Sequence, residues 1–184
     1  FCELKGTVND VVFRDPTLMI GQKGENDSAG NCKSLKGVGI LAGRSEGKLT
    51  EIAVTRTKQN SNTVEANVKV DVSNANVSDD KDTLGVGMLV GVLAKYENGT
   101  IQTLSSGTVS NLTIEGKMEA VLPSSVKQTD AYGIGGIIGY ADLNNKNGTI
   151  KIHGCTNDAD VSGNVNTGGI VGRLDGTFRY NNGT

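Results

Sequence analysis

The stretch Gly85–Gly91, GVGMLVG, decides the reading of this chain. It returns as GVGILAG at Gly37–Gly43, as GIGGIIG at Gly133–Gly139 and, shortened, as TGGIVG at Thr167–Gly172. The blocks close on Gly43, Gly91, Gly139 and Gly172, so the first two intervals are identical and the last is shorter. A block that recurs at a fixed period marks a repeat architecture, in which each unit buries its apolar face only against its neighbours.

Each block is followed by a polar turn and an alternating run. RSEGKLTEIAV follows Gly43, VLAKYENGTIQTL follows Gly91, YADLNNKNGTIKIHGC follows Gly139 and RLDGTFRYNNGT follows Gly172. NGT or DGT before alternating residues is a turn-then-strand signal, because Asn and Gly tolerate the left-handed backbone of a sharp corner. Further strands are expected at Thr63–Val72, Thr108–Glu115 and Asp158–Val165. The first would put Val64, Ala66, Val68, Val70 and Val72 on one face. In TIKIH, Ile150 and Ile152 point one way and Lys151 and His153 the other. A helix over Leu84–Tyr96 is disfavoured by glycines at 85, 87 and 91.

The expected fold is therefore all-β, a repetitive β-solenoid or parallel β-helix spanning 1–184 as a single array. Its units run approximately 37–84, 85–132, 133–166 and 167–184, with 1–36 as an N-terminal coil or flank. Each full unit reads as two coils of about 20 to 25 residues, by analogy with compact solenoid repeats. An antiparallel sandwich would explain the alternation but not the repeated block. Both ends look cut from something longer, so the chain is expected to continue into further domains.

Composition agrees with layered β structure. Glycine supplies 26 of 184 residues, tryptophan is absent and aromatics make up 4%, so Ile, Val, Leu and Ala must form the core. Eighteen basic and twenty acidic residues give a net charge of -2, which offers a nucleic-acid partner no electrostatic support. The most apolar stretch, Leu84–Ala94, is too short to span a bilayer, so the chain is not expected to be membrane-embedded. No signal peptide is visible.

No motif assembles a reaction centre. GxGxxxG at Gly37–Gly43 and Gly85–Gly91 lacks the following amphipathic helix of a dinucleotide site, so no cofactor is assigned. The three cysteines, Cys2, Cys32 and Cys155, form no CxxC pair. They read as small buried residues, with a Cys2–Cys32 disulfide as the alternative. Asp79, Asp80 and Asp82 are the best calcium candidates, yet Lys81 interrupts them, they lack EF-hand spacing, and they read as a solvated loop, so no metal is assigned. Lys151, His153, Asp158 and Asp160 are the set a glycan-cleaving β-helix would use, and nothing in the sequence fixes them together; no catalytic residue is assigned. Tyr96, Tyr132, Tyr140, Tyr180, Phe13 and Phe178 are the aromatics available to stack on a sugar. Six Asn-x-Ser/Thr sequons occur, at Asn26, Asn76, Asn98, Asn111, Asn147 and Asn182, and they read as by-products of turn chemistry.

The segment Gly148–Gly172, GTIKIHGCTNDADVSGNVNTGGIVG, resembles the GLUG-type repeat. Gly168-Gly169-Ile170-Val171-Gly172 matches its GG-aliphatic-aliphatic-G step. Val161 and Gly163 supply the V-x-G, and Cys155 takes the small buried position. The resemblance spans Gly37–Thr184, but the first two units replace one glycine of the pair, giving Gly39-Ile40 and Gly87-Met88. It implies a bacterial cell-surface or secreted adhesin-like protein, with this chain as stalk or spacer rather than enzyme. A host matrix protein or a glycan is the implied partner. A carbohydrate-binding or glycan-cleaving β-helix is the alternative.

Overall fold

The computed structural model describes residues 1–21, 37–59, 62–64, 66–71, 73, 84–97, 100–102, 106–123, 132–142 and 149–176. They form a continuous stack of coils joined by parallel pairing. The first coil carries β1 (Glu3–Leu4), β2 (Val8–Arg14) and β3 (Thr17–Ile20). The second carries β4 (Gly37–Val38), β5 (Ala42–Ser45), β6 (Leu49–Thr55), β7 (Thr57–Gln59), β8 (Asn62–Val64) and β9 (Asn67–Asp71). The third carries β10 (Leu84–Gly87), β11 (Val90–Leu93), β12 (Lys95–Glu97), β13 (Thr100–Gln102), β14 (Ser106–Ser110) and β15 (Thr113–Val121). The fourth carries β16 (Tyr132–Gly135), β17 (Ile138–Asp142), β18 (Thr149–His153) and β19 (Thr156–Gly163), and β20 (Thr167–Gly168) and β21 (Val171–Asp175) begin a fifth. No helix occurs among the described residues.

Three sheets run the length of the stack. An entry sheet has the order β20-β16-β10-β4, an exit sheet the order β1-β5-β11-β17-β21, and a broad sheet holds β2, β3, β6, β9, β14, β15, β18 and β19. All pairings between coils among the described residues are parallel. Val86 pairs with Val38 on one side and Ile134 on the other, so equivalent positions of successive blocks are direct neighbours. Each full repeat unit is thus one coil, not two. The two-coil expectation fails because the block folds back on itself and supplies two walls of a single circuit.

The glycines explain how it does so. In each block the entry and exit strands meet backbone to backbone. A Cβ on Gly85 would overlap the Gly91 carbonyl oxygen and stand 2.8 Å from the Tyr140 nitrogen. A Cβ on Gly133 would overlap the Gly139 carbonyl and stand 2.7 Å from the Arg173 nitrogen. Sheets that interdigitate side chains sit about 10 Å apart; this seam is closed chiefly by backbone on backbone. The aliphatic residues of the block turn the other way. Val38, Val86 and Ile134 are buried, as are Leu41, Leu89 and Ile137 at the bend.

The broad sheet closes the core with its own apolar ladders. Leu49, Ile52 and Val54 of β6 lie in register with Val109, Leu112 and Ile114, and Val68 and Val70 with Met118 and Ala120; all are buried. Core positions step by two along each strand but by three at one corner, from Leu49 to Ile52 and from Val109 to Leu112. The corner is made by Asp10, Glu51, Asn111 and Gly154, with φ of 57°, 54°, 55° and 62°. These four occupy the same place in successive coils, since Asn9, Thr50, Ser110 and His153 pair across them.

Coil length varies without disturbing the stack. Glu3, Arg44, Val92, Tyr140 and Arg173 lie in one column. The circuits between them are therefore unequal: Arg44 to Val92 and Val92 to Tyr140 match, Glu3 to Arg44 is shorter, and Tyr140 to Arg173 is shortest. Among the described residues, surplus chain is ejected as antiparallel hairpins: β7–β8 on the second coil and β12–β13 on the third. The expected strand Thr63–Val72 is divided for this reason. Val64 belongs to a hairpin strand, while Ala66, Val68 and Val70 face the core; Val72 lies outside the described residues.

Candidate functional site

The outer face of the broad sheet gathers the polar side chains that the sequence singled out. Lys151, His153, Asp158 and Asp160 are all exposed there. Lys151 and His153 sit on β18 beside Thr108 and Ser110, whereas Asp158 and Asp160 sit on β19 beside Glu115 and Lys117. They occupy different strands on either side of the left-handed corner at Gly154. Among the described residues, no three of His, Cys, Asp and Glu come together as a metal site. Asp79, Asp80 and Asp82 lie outside the described residues.

The glycines of the two GxGxxxG steps are occupied by packing. Their backbone faces the opposing sheet and not a cleft, which leaves no cradle for a phosphate. Cys2 carries a free, exposed thiol, and Cys32 lies outside the described residues. Cys155 is half-buried in the ladder beside Leu112, where burial raises its thiol pKa. Tyr132 and Tyr140 are buried and Phe13 packs against the core, so these three are withdrawn from any sugar-stacking role. Tyr180 and Phe178 lie outside the described residues, as does the side chain of Tyr96. Of the sequons, Asn111 is exposed at the left-handed corner; the other five asparagines lie outside the described residues. No helix among the described residues is long and apolar enough to cross a membrane.

A concavity of about 330 Å³ lies where β9, β15 and β19 end side by side. Three coils each contribute a run of consecutive residues at matched register. Lys69, Glu119 and Ser162 form one wall. Asp71, Val121 and Asn164 form the other, and the floor is the backbone at Val70, Ala120 and Gly163. Side chains two apart on a strand share a face, so the walls run across the strands along the column axis.

The walls are held by local bonds. Lys117 Nζ lies 2.6 Å from Glu119 Oε1, and Lys69 Nζ lies 3.5 Å from Glu119 Oε2. The hydrogen bond and charge of Lys117 hold the Glu119 carboxyl below its ordinary pKa. The Ser73 hydroxyl and N–H donate to Asp71 Oδ1 at 2.7 and 3.1 Å and lower that pKa too. Asn164 acts as a short strand: Leu122 N–H donates to its Oδ1 at 2.9 Å, and its Nδ2 donates to the Leu122 carbonyl at 2.8 Å. Sequence reasoning missed this groove. Its three lining tripeptides, KVD, EAV and SGN, share no motif, and their spacing departs from the block period because of the ejected hairpins.

No family model matches the chain, and neither the curated proteins nor the solved structures compared with it give a match.

Proposed function

We propose that this chain is a GLUG-type structural module of a bacterial cell-surface or secreted protein, a stiff stalk or spacer whose outer faces contact a host matrix protein or a glycan. The observation that supports it is the continuity of the stack: the same apolar ladders pass from coil to coil while extra chain is ejected sideways. Such a column resists bending because each coil is paired along its edge to the next. The reading gives the chain no reaction of its own. It fits with Lys151, His153, Asp158 and Asp160 being spread over two strands and exposed to water.

The glycan arm of the reading draws on one further feature, the groove with polar walls at the ends of β9, β15 and β19. Incubating the purified chain with immobilised matrix proteins and with insoluble polysaccharides tests the proposal. Capture without a change in polysaccharide chain length is the expected result for an adhesive module, and no capture is the result for a pure spacer. Release of new sugar ends would overturn the non-enzymatic reading.

A further inference from the structure

We propose that the groove between the Lys69–Glu119–Ser162 and Asp71–Val121–Asn164 walls binds a short, neutral, linear oligosaccharide laid along the column axis. The proposal deepens the glycan arm of the functional reading and rests on it. Four observations select this ligand class. The central floor strand, β15, is already paired on both sides, with β9 and with β19. Its backbone groups are therefore satisfied, and a peptide cannot add as another strand at the centre of the groove. Recognition over that strand must come from side chains.

Those side chains suit hydroxyl groups. One ammonium and two carboxylates face the groove, with a hydroxyl and an amide beside them. The carboxylates accept, the ammonium donates, and a polyol can satisfy both. With Lys117 paired to Glu119, two ammonium groups balance two carboxylates about the groove, which suits a neutral ligand. Val121, 43% exposed, offers apolar ground for the C–H face of a sugar ring. Finally, parallel strands repeat every ~4.8 Å, close to the advance of one pyranose unit in an extended chain, so successive sugars can lie over successive coils. The cavity volume of about 330 Å³ is at the small end of ligand sites.

The test is an amide-resolved NMR titration of the full chain with cellotetraose, maltotetraose and laminaritetraose at millimolar concentration. The expected result is saturable shifts for at least one sugar, clustered at 69–71, 119–121 and 162–164. Glu119→Gln and Asp71→Asn, both on the surface, should each weaken binding about tenfold, the loss of one charged hydrogen bond. Lys151→Ala, on the same sheet outside the groove, should leave it unchanged. If either groove variant perturbs the fold, Ser162→Ala serves in its place with a smaller expected loss. Shifts clustered elsewhere would overturn the groove but leave glycan contact standing. An absence of shifts with all three sugars would overturn the groove, while capture by a matrix protein would still uphold the adhesive module.

Discussion

Glu51 holds its backbone at φ 54°, in a region where a side chain with a Cβ is disfavoured. It does so because Ile52 must return to the core three positions after Leu49. Asp10 and Asn111 meet the same demand in the neighbouring coils, and Gly154 meets it without strain. Glu51→Gly is therefore expected to raise stability by up to about 1 kcal/mol, the relief of strain less the extra entropy of the unfolded chain. Urea unfolding measures it. The seam glycines behave in the opposite way. Gly85→Ala drives a Cβ into backbone on both the same and the following coil, neither of which can yield, and should cost at least about 3 kcal/mol. Gly169→Ala meets nothing within 4 Å and should be nearly neutral, although Gly169 belongs to the same motif. Tyr140 gives a pH signature. Its ring is buried with Val92 and Ala94, and its hydroxyl donates to Asp175 Oδ2 at 3.0 Å. Burial first, then the nearby Asp142 and Asp175 carboxylates, raise its pKa. The protonated phenol is favoured in the fold, so its contribution to stability is fully present below the ordinary tyrosine pKa of about 10 and is lost as pH rises above it. Absorbance titration should show delayed tyrosine ionisation, and Tyr140→Phe should remove its own share of that delay together with its part of the alkaline loss.

At the level of elements, the hairpin β7–β8 shows how an insertion is tolerated. Its base is gripped from the coils on either side. Thr57 N–H donates to Asp15 Oδ1 at 2.6 Å and its hydroxyl to Asp15 Oδ2, while Arg56 N–H donates to Glu115 Oε2 at 3.2 Å. The first coil crosses the same place with Asp15 and Pro16 alone. Replacing 56–66 by Asp-Pro should leave the stack intact, at a loss of about 1–3 kcal/mol from the severed bonds and the burial of Ala66. Circular dichroism and thermal unfolding would show a cooperative, destabilised β protein; loss of all structure would mean that the hairpin is part of the core. The strands at the glycine blocks were legible in the sequence, since GVGMLVG alternates within each arm and its first two intervals are identical. Thr100 and Thr149 open strands after NG, as the turn chemistry implied. The split of Thr63–Val72 was not legible, because a hairpin stem and a sheet strand share one alternation. Nor was the corner: Asn111 and Gly154 are residues that favour it, but Asp10 and Glu51 carry no such mark.

For the molecule as a whole, the all-β solenoid could be read from recurrence, but the size of its coil could not. Alternation reports which face a residue takes, not how far the chain travels before it meets itself. The groove stayed hidden for the same reason, since its walls join tripeptides that only correct coil registration brings together. The exposed positions of Lys151 and His153 followed from alternation alone. The central claim is that one full repeat unit makes one coil, with each block stacked on the next. Its most direct test is the scalar coupling carried across backbone hydrogen bonds in an isotope-labelled sample. Leu41 N–H donates to the Leu89 carbonyl at 3.0 Å, and Leu89 N–H to the Ile137 carbonyl at 3.2 Å. Couplings between these amides and carbonyls, each pair one whole unit apart in sequence, are the predicted result. Couplings linking the blocks to positions about half a unit away, as smaller repeat coils would require, or pairing them antiparallel, would contradict it.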